Sequence, residues 1–311
     1  MRASASPIAA MSARSFHASA PASSANLGPG FDAVAIALSA RMHAAVAPAS
    51  RFSLRFAPGP HAPTHDGLRD AIERAMRSVG ALPRLSIEIT NDIPLGAGLG
   101  SSAAATVLAL GIAWRATGAR LDRTRIAAAA CEIEGHPDNA LASLYGGTTV
   151  ACDARNLVRL PALRDTIALF TIPKVDLSTA AARSLLPARY SRSDAVFSIQ
   201  RAALLGAALA SGDLAPLRAA MHDRIHQPYR ATKIPGLAAL LAYDAPGVRG
   251  VALSGAGPTV VALLDARANV RRIAAELRSR FSEAGIASET LRLRPSARGL
   301  LVRNARSASQ K

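Results

Sequence analysis

An alternating run, LSIEIT from Leu85 to Thr90, leads within a few residues into PLGAGLGSSAAAT, Pro94 to Thr106, and on into an Ala-rich stretch. Alternation of apolar and polar residues reads as a strand, and the Ala-rich stretch as a helix. Between them Gly96, Gly98 and Gly100 stand one residue apart and run into the pair Ser101 and Ser102. Glycines let the chain turn sharply and let a ligand approach the backbone closely. A helix that starts directly afterwards offers amide groups with no intrahelical partner, beside a partial positive charge. Together these predict a phosphate cradle, with Ser101 and Ser102 able to reach a phosphate or a phosphate-bound metal. The spacing excludes the two commoner nucleotide motifs. No Lys follows the glycines, as a P-loop requires, and the pattern is GxGxG rather than GxGxxG. Taken alone, the segment also reads as a tight strand-to-helix turn.

Four further segments bear on that choice. They are PASSANLGPGFD (Pro21 to Asp32), EGHPDNA (Glu134 to Ala140), DRIHQPYR (Asp223 to Arg230) and LSGAGPTVVAL (Leu253 to Leu263). The glycine loop resembles the second motif of the GHMP kinases, the superfamily of galactokinase, homoserine kinase, mevalonate kinase and phosphomevalonate kinase. Pro21 to Asp32 resembles the first motif in its homoserine-kinase form, and Glu134 to Ala140 the acidic and His-Asp-Asn segment of the same branch. Leu253 to Leu263 resembles the third motif, and Asp223 to Arg230 a substrate-side segment. All occur in the family's order. The resemblance implies an α+β fold of two lobes. The first, over 16–162, is of the ribosomal-S5-domain-2-like kind and binds ATP; the second, over 163–295, is ferredoxin-like. An N-terminal extension (1–15) and a basic tail (296–311) flank them.

The same resemblance implies an ATP-dependent small-molecule kinase of the homoserine branch, using Mg²⁺ and taking L-homoserine toward threonine. Alternatives are a GHMP-type kinase of another small alcohol or amino acid, and a non-catalytic nucleotide-binding protein on the same fold. Pro94, Leu95, Gly96, Ala97, Gly98, Leu99, Gly100, Ser101 and Ser102 would wrap the nucleotide. Ser102 and Glu134 would hold the metal, with Glu132 the alternative, because the chain is shorter than many homoserine kinases between this Glu and the His-Asp-Asn element. Asn26, Asp32, His136, Asn139, Arg183 and Arg230 would bind the acceptor, the two arginines gripping its carboxylate. Asp32 and Thr179 would act at the reacting groups, and Asp138 occupies the neighbourhood of a base used by some relatives. Whether any side chain acts as a base is open, since a loose phosphoryl-transfer transition state makes early deprotonation unnecessary. Relatives are often homodimers.

Composition limits the remaining possibilities. A chain of 311 residues exceeds one comfortable core. Its net charge of +16 concentrates at the C-terminal end, where residues 267–311 carry 11 Lys or Arg against 3 Glu. That reads as a solvated tail or as attraction of an anion, while 4% aromatics argues against stacking on single-stranded nucleic acid. Cys131 and Cys152 lack metal-ligand spacing and read as reduced core thiols, pointing to the cytoplasm. Ala97 to Trp114 is uncharged over 18 residues, but its Gly and Ser fit a buried helix better than a membrane span. The first 20 residues, rich in Ala and Ser, resemble a transit peptide without the apolar core of a secretory signal. Strands are predicted at Ala33–Leu38, Leu85–Thr90, Thr148–Ala151, Leu157–Leu160, Ile167–Ile172, Val251–Ser254, Thr259–Leu263 and Ser288–Leu293. Helices are predicted at Leu68–Val79, after the glycine loop, and at Arg123–Glu134 between an Asp122 cap and a Gly135 stop. Further helices are predicted at Thr179–Leu185, Asp194–Ala210, Asp213–Met221, Leu237–Tyr243 and Ala268–Ala284.

Overall fold

The glycine loop is followed by a helix, α2 (Ser101–Ala116), in which every residue from Ala103 to Ala113 is buried. Such a helix has no solvent face and must be wrapped on all sides. In the computed structural model, which describes residues 14–64 and 66–305, the wrapping is done by α1 (Gly67–Arg77), α3 (Arg123–Glu134), α4 (Asp138–Tyr145) and a sheet. The sheet contains β1 (Phe16–Asn26), β2 (Gly30–Pro48), β3 (Ser53–Phe56), β4 (Leu85–Asn91) and β11 (Leu301–Asn304), in the order β11-β1-β2-β4-β3. A hairpin, β5 (Thr148–Ala151) and β6 (Leu157–Leu160), pairs onto β2. Only β3 and β4 run parallel. Burying each large aliphatic of α2, such as Leu108, Leu110 or Ile112, contributes about 1.5–3 kcal/mol at most.

The second sheet comprises β7 (Thr166–Pro173), β8 (Val248–Leu253), β9 (Val260–Asp265) and β10 (Ser288–Leu293), in the antiparallel order β10-β7-β9-β8. Helices α5 (Thr179–Ser184), α6 (Arg192–Ser211), α7 (Leu217–Ala220), α8 (Gln227–Ala231) and α9 (Leu237–Leu241) lie between β7 and β8, and α10 (Val270–Glu283) between β9 and β10. The result is the split βαβ arrangement expected of a ferredoxin-like lobe. Period-2 alternation divides its apolar residues. Ile167 and Leu169 pack toward Leu237, Leu277 and Phe281. Ala168 and Phe170 join the core that contains α2. Residues of both lobes thus meet in the core that contains α2, while the other face of the second sheet packs on a core of its own.

Most predicted elements lie within a few residues of the observed ones, and α3 carries its cap as read: the Asp122 carboxylate accepts from the Thr124 and Arg125 amides, with Gly135 left-handed at the end. Several readings need correction. Strand β1 went unseen because FHASAPASSAN is built of residues with weak strand preference. Its small side chains serve instead to let the Ala-rich α2 approach. Helix α4 was also unseen. The helix expected from Asp213 begins only at Leu217, since Pro216 disfavours helical backbone at the preceding residue. Cys152 is exposed rather than a core thiol, and Cys131 is half-buried.

The basic tail is another. Residues 296–304 are folded: β11 pairs with β1 and Leu300 is fully buried. Arg41 donates to the carbonyls of Arg298 (3.1 Å) and Gly299 (2.7 Å), Arg123 to Leu300 (2.8 Å) and Arg159 to Ala297 (2.9 Å). Part of the positive charge is thus structural. Burial pushes the Arg41 guanidinium down to about 10, still charged at neutral pH. Residues 306–311 of the expected tail, and 1–13 of the expected extension, lie outside the described residues. Among the described residues, no helix is long and apolar enough to cross a membrane.

Candidate active site

Helix α2 starts at Gly100, which is left-handed and offers no side-chain cap. The Ala104 amide makes the first intrahelical bond, back to Gly100, so the amides of Ser101, Ser102 and Ala103 have no carbonyl behind them. They open onto a cavity of about 350 Å³ lined by Gly96, Gly98, Gly100, Ser101, Ser102 and Ala103 on this side. The odd members of the loop do something else: Ala97 and Leu99 are buried in the core, and Pro94 and Leu95 are absent from the lining. The side chains of Ala97 and Leu99 thus anchor the loop, while Gly96, Gly98, Gly100, Ser101 and Ser102 are the members of the segment that line the cavity.

The loop is pinned from the second lobe. The Ser254 hydroxyl donates to the Gly98 carbonyl (2.6 Å) and also bonds Ser24 (2.9 Å). Gly98 has φ +65°, and a Cβ there would stand 2.5 Å from the Ser254 carbonyl oxygen. Gly98→Ala is expected to combine a left-handed penalty of about 1–2 kcal/mol with that clash, lowering the thermal midpoint by roughly 2–4 °C or more. A melting curve that superimposes on the parent's would contradict the packing described.

Glu134 faces the helix start from the end of α3. Its Oε1 accepts from the Thr106 hydroxyl (2.7 Å) and from Ser102 (3.1 Å). Glu134 lines the cavity and Glu132 does not. A hydroxyl and a carboxylate oxygen side by side are hard donors suited to Mg²⁺. Another group, Asp32, His136 and Asp138, brings three possible ligand atoms within 4.8 Å of one another. It fits Mg²⁺ less well, since one donor is an imidazole, Asp32 is already paired with the Arg183 guanidinium and Asp138 with His136, whereas Glu134 accepts only from hydroxyls.

The rest of the cavity is lined by Asn26, Phe31, Asp32, His136, Asp138, Asn139, Leu177, Ser178, Thr179, Arg183, Arg230 and the Gly255–Gly257 turn. Asn26 and Asp32 flank the tip of the β1–β2 hairpin with φ of +72° and +54°. Asn26 Nδ2 donates to the Gly255 carbonyl (2.7 Å), and its Oδ1 accepts from the Asp32 amide (3.0 Å). Such conformations in non-glycine residues are strained and persist only where neighbours enforce them. Arg183, from α5, meets Asp32 bidentately at 2.7 and 2.9 Å. The Asp32 carboxylate raises the Arg183 guanidinium above its ordinary value. Both side chains are partly exposed, so opening this pair costs only about 0–1 kcal/mol.

Arg230, from α8, is 1% exposed. It donates to the Gly255 carbonyl (3.1 Å), the Ala182 carbonyl (3.4 Å) and His226 Nδ1 (3.0 Å). Burial first, and Arg183 second, push it down to about 10, leaving it cationic at neutral pH. His136 Nδ1 bonds Asp138 Oδ1 at 2.7 Å, and that oxygen also accepts from the Asn139 amide (2.6 Å). The bond to Asp138 raises the His136 imidazole above its ordinary value against the pull of desolvation. Asn139 Oδ1 accepts from Ser23 (2.8 Å). Thr179 opens α5 behind a Ser178 cap. Apart from Pro94, Leu95, Ala97 and Leu99, every predicted site residue lines this one cavity. Phe31 and His226 were missed. Phe31 sits between Gly30 and Asp32 in the first motif and was visible as an aromatic in a glycine turn. His226 was hidden because nothing local marks it as buried.

Two family models match the chain, GHMP kinases N terminal domain over residues 67–147 and GHMP kinases C terminal over 205–283. The chain is 40% identical to a homoserine kinase of Solibacter usitatus, over 89% of this chain and 93% of that one. It is 36% identical to a homoserine kinase of Deinococcus radiodurans, over 94% and 99%. Among solved structures, a homoserine kinase from Cytophaga hutchinsonii superimposes with a TM-score of 0.78 at 27% identity, over 93% and 98% of the two chains. A galactokinase of Lactococcus lactis complexed with galactose, at 13% identity and TM-score 0.66 over 94% and 96%, shares the fold.

Proposed function

The chain belongs to the GHMP kinase family, and on that footing we propose that it is a homoserine kinase, transferring the γ-phosphoryl group of ATP to the side-chain hydroxyl of L-homoserine. The observation that carries the reading is the pairing of Asp32 with Arg183, beside buried Arg230, across one cavity from the uncapped start of α2. A carboxylate and two guanidinium groups complement an α-amino acid, with its ammonium and carboxylate; a neutral sugar presents neither charge, and a mevalonate-type acceptor offers a carboxylate to the guanidinium groups but no ammonium to Asp32. Because the Asp32–Arg183 pair is cheap to open, a zwitterion can exchange with it ion for ion.

The backbone amides from Gly96 to Ser102 bind the triphosphate. Ser102 and Glu134 would hold Mg²⁺, which supplies neutralisation of the phosphate charge when bound. Arg183 and Arg230 grip the acceptor carboxylate, a task suited to a planar fork of donors. Asn26 and Asp32 orient the ammonium and hydroxyl, while His136 and Asn139 close the pocket and Thr179 hydrogen-bonds near the transferred phosphoryl group. Asp138 Oδ1 is committed to His136 and to the Asn139 amide, so its work is to hold His136. Alignment by Asp32 then replaces a dedicated base, as a loose transition state allows. A threonine-pathway role and a cytoplasmic location accord with this activity.

Purified protein given Mg-ATP and homoserine, threonine, serine, mevalonate or galactose tests the reading by ADP release. Preference for homoserine is expected. Preference for another acceptor would overturn the substrate, and silence with all of them would favour a nucleotide-binding protein without catalysis.

A further inference from the structure

His226 is fully buried, yet both ring nitrogens have polar partners. Nε2 lies 2.8 Å from the Gly28 carbonyl, at the tip of the β1–β2 hairpin, and Nδ1 lies 3.0 Å from Arg230 Nη1. A carbonyl can only accept and a guanidinium can only donate. Those partners therefore fix one tautomer, with the proton on Nε2 and the lone pair on Nδ1. Burial likewise pushes the imidazole well below its ordinary value, keeping it neutral.

Both ends of this link are themselves immobilised. Gly28 has φ +86°, and a Cβ on it would stand 2.1 Å from the Met221 carbonyl oxygen, so the hairpin tip is pressed against the second lobe. Asp223 caps the turn that carries His226, accepting from the amides of Ile225 (2.7 Å), His226 (2.8 Å) and Gln227 (2.8 Å). The Phe31 ring stacks on the imidazole at 5.0 Å and 23°. Its other neighbours are the guanidinium carbons of Arg230 (5.4 Å) and Arg183 (5.5 Å). Arg230 spends Nε and Nη1 on the partners described, and without the His226 contact only the Ala182 and Gly255 carbonyls, at 3.4 and 3.1 Å, would orient the guanidinium that lines the cavity.

We propose that His226 is a positioning residue for the acceptor: by joining the hairpin tip to Arg230, it fixes the direction in which the guanidinium meets the substrate carboxylate. This rests on the homoserine-kinase reading, and it predicts a specific split between two substitutions. A Gln amide reaches the place of Nε2, so His226→Gln keeps a donor for Gly28 and loses the acceptor for Arg230. An Asn amide reaches the place of Nδ1, so His226→Asn keeps the acceptor.

The experiment is steady-state kinetics of the full chain with Mg-ATP, for both variants and for His226→Gln combined with Arg230→Ala. His226→Gln is expected to raise KM for homoserine about tenfold, the scale of one hydrogen bond to a charged group, with KM for ATP within about twofold. His226→Asn should recover most of that loss. On the Arg230→Ala background His226→Gln should change KM for homoserine by less than about twofold, because sites acting through each other are not additive. A full tenfold effect on that background, or an equal rise in both KM values, would overturn the proposal. Homoserine-dependent turnover by the parent chain, measured alongside, tests the functional reading separately.

Discussion

Glu134→Gln is expected to lower kcat by about 10²–10³-fold, the range seen when one preorganised electrostatic group is removed from a reacting centre. The substitution preserves shape and leaves an amide oxygen able to accept from Thr106 and Ser102, whose hydroxyls stand 2.7 and 3.1 Å from the carboxylate. What it removes is the negative charge beside the uncapped helix start. Since Glu134 shares no hydrogen bond with Asp32, Arg183 or Arg230, KM for homoserine should stay within about threefold, and the melting temperature should be nearly unchanged. Steady-state kinetics at saturating Mg²⁺ reads this directly. A kcat within tenfold of the parent would show that Glu134 is only a helix-end contact for α2, and would reopen the Asp32, His136 and Asp138 group as the metal site.

Arg230→Ala should act on the opposite substrate. We expect kcat/KM for homoserine to fall by about 10²–10³-fold, mainly through KM, with KM for ATP spared. The scale follows from leaving a buried carboxylate without its charged partner, a cost of about 2–5 kcal/mol. Stability should drop too, because truncation removes the Arg230 donor from His226 Nδ1 and from the Ala182 carbonyl, while the Gly255 carbonyl keeps its bond from Asn26, at about 1–3 kcal/mol for each group left unpaired that water does not reach. The kinetic and thermal losses are separable: a fold defect alone reduces the active fraction and leaves both KM values in place. An equal loss of affinity for ATP would contradict the placement of Arg230 in the acceptor half.

The difference between these two predictions reflects what the chain makes legible. Gly96, Gly98, Gly100, Ser101 and Ser102 could be read without any relative as a phosphate cradle or as a tight strand-to-helix turn, two alternatives that the same local geometry serves. The acceptor residues could not. Arg183 and Arg230 are two among many arginines, and what separates them is tertiary. One is buried under the 254–257 turn and the other faces Asp32, 151 positions away in the chain. Resemblance to a family supplied what local chemistry could not. The same reasoning explains the misses. Strand β1 has the composition of a loop, and only pairing on both edges reveals it. The C-terminal arginine-rich segment looked solvated because nothing local shows that Arg41, Arg123 and Arg159 supply donors for its carbonyls. His226 lay inside a recognised motif, yet its role depends on Gly28, 198 positions earlier.

The claim on which the account turns is that Asp32, Arg183 and Arg230 together read a zwitterion. It is tested most directly by initial rates of ADP release with homoserine, with 3-aminopropan-1-ol, which lacks only the carboxylate, and with 4-hydroxybutanoate, which lacks only the amine. Both analogues keep the reacting hydroxyl. A site built to pair charged groups should reject each by about 10⁴-fold in kcat/KM. If either analogue were phosphorylated within about tenfold of homoserine, the charges of Asp32, Arg183 and Arg230 would not be selecting the substrate.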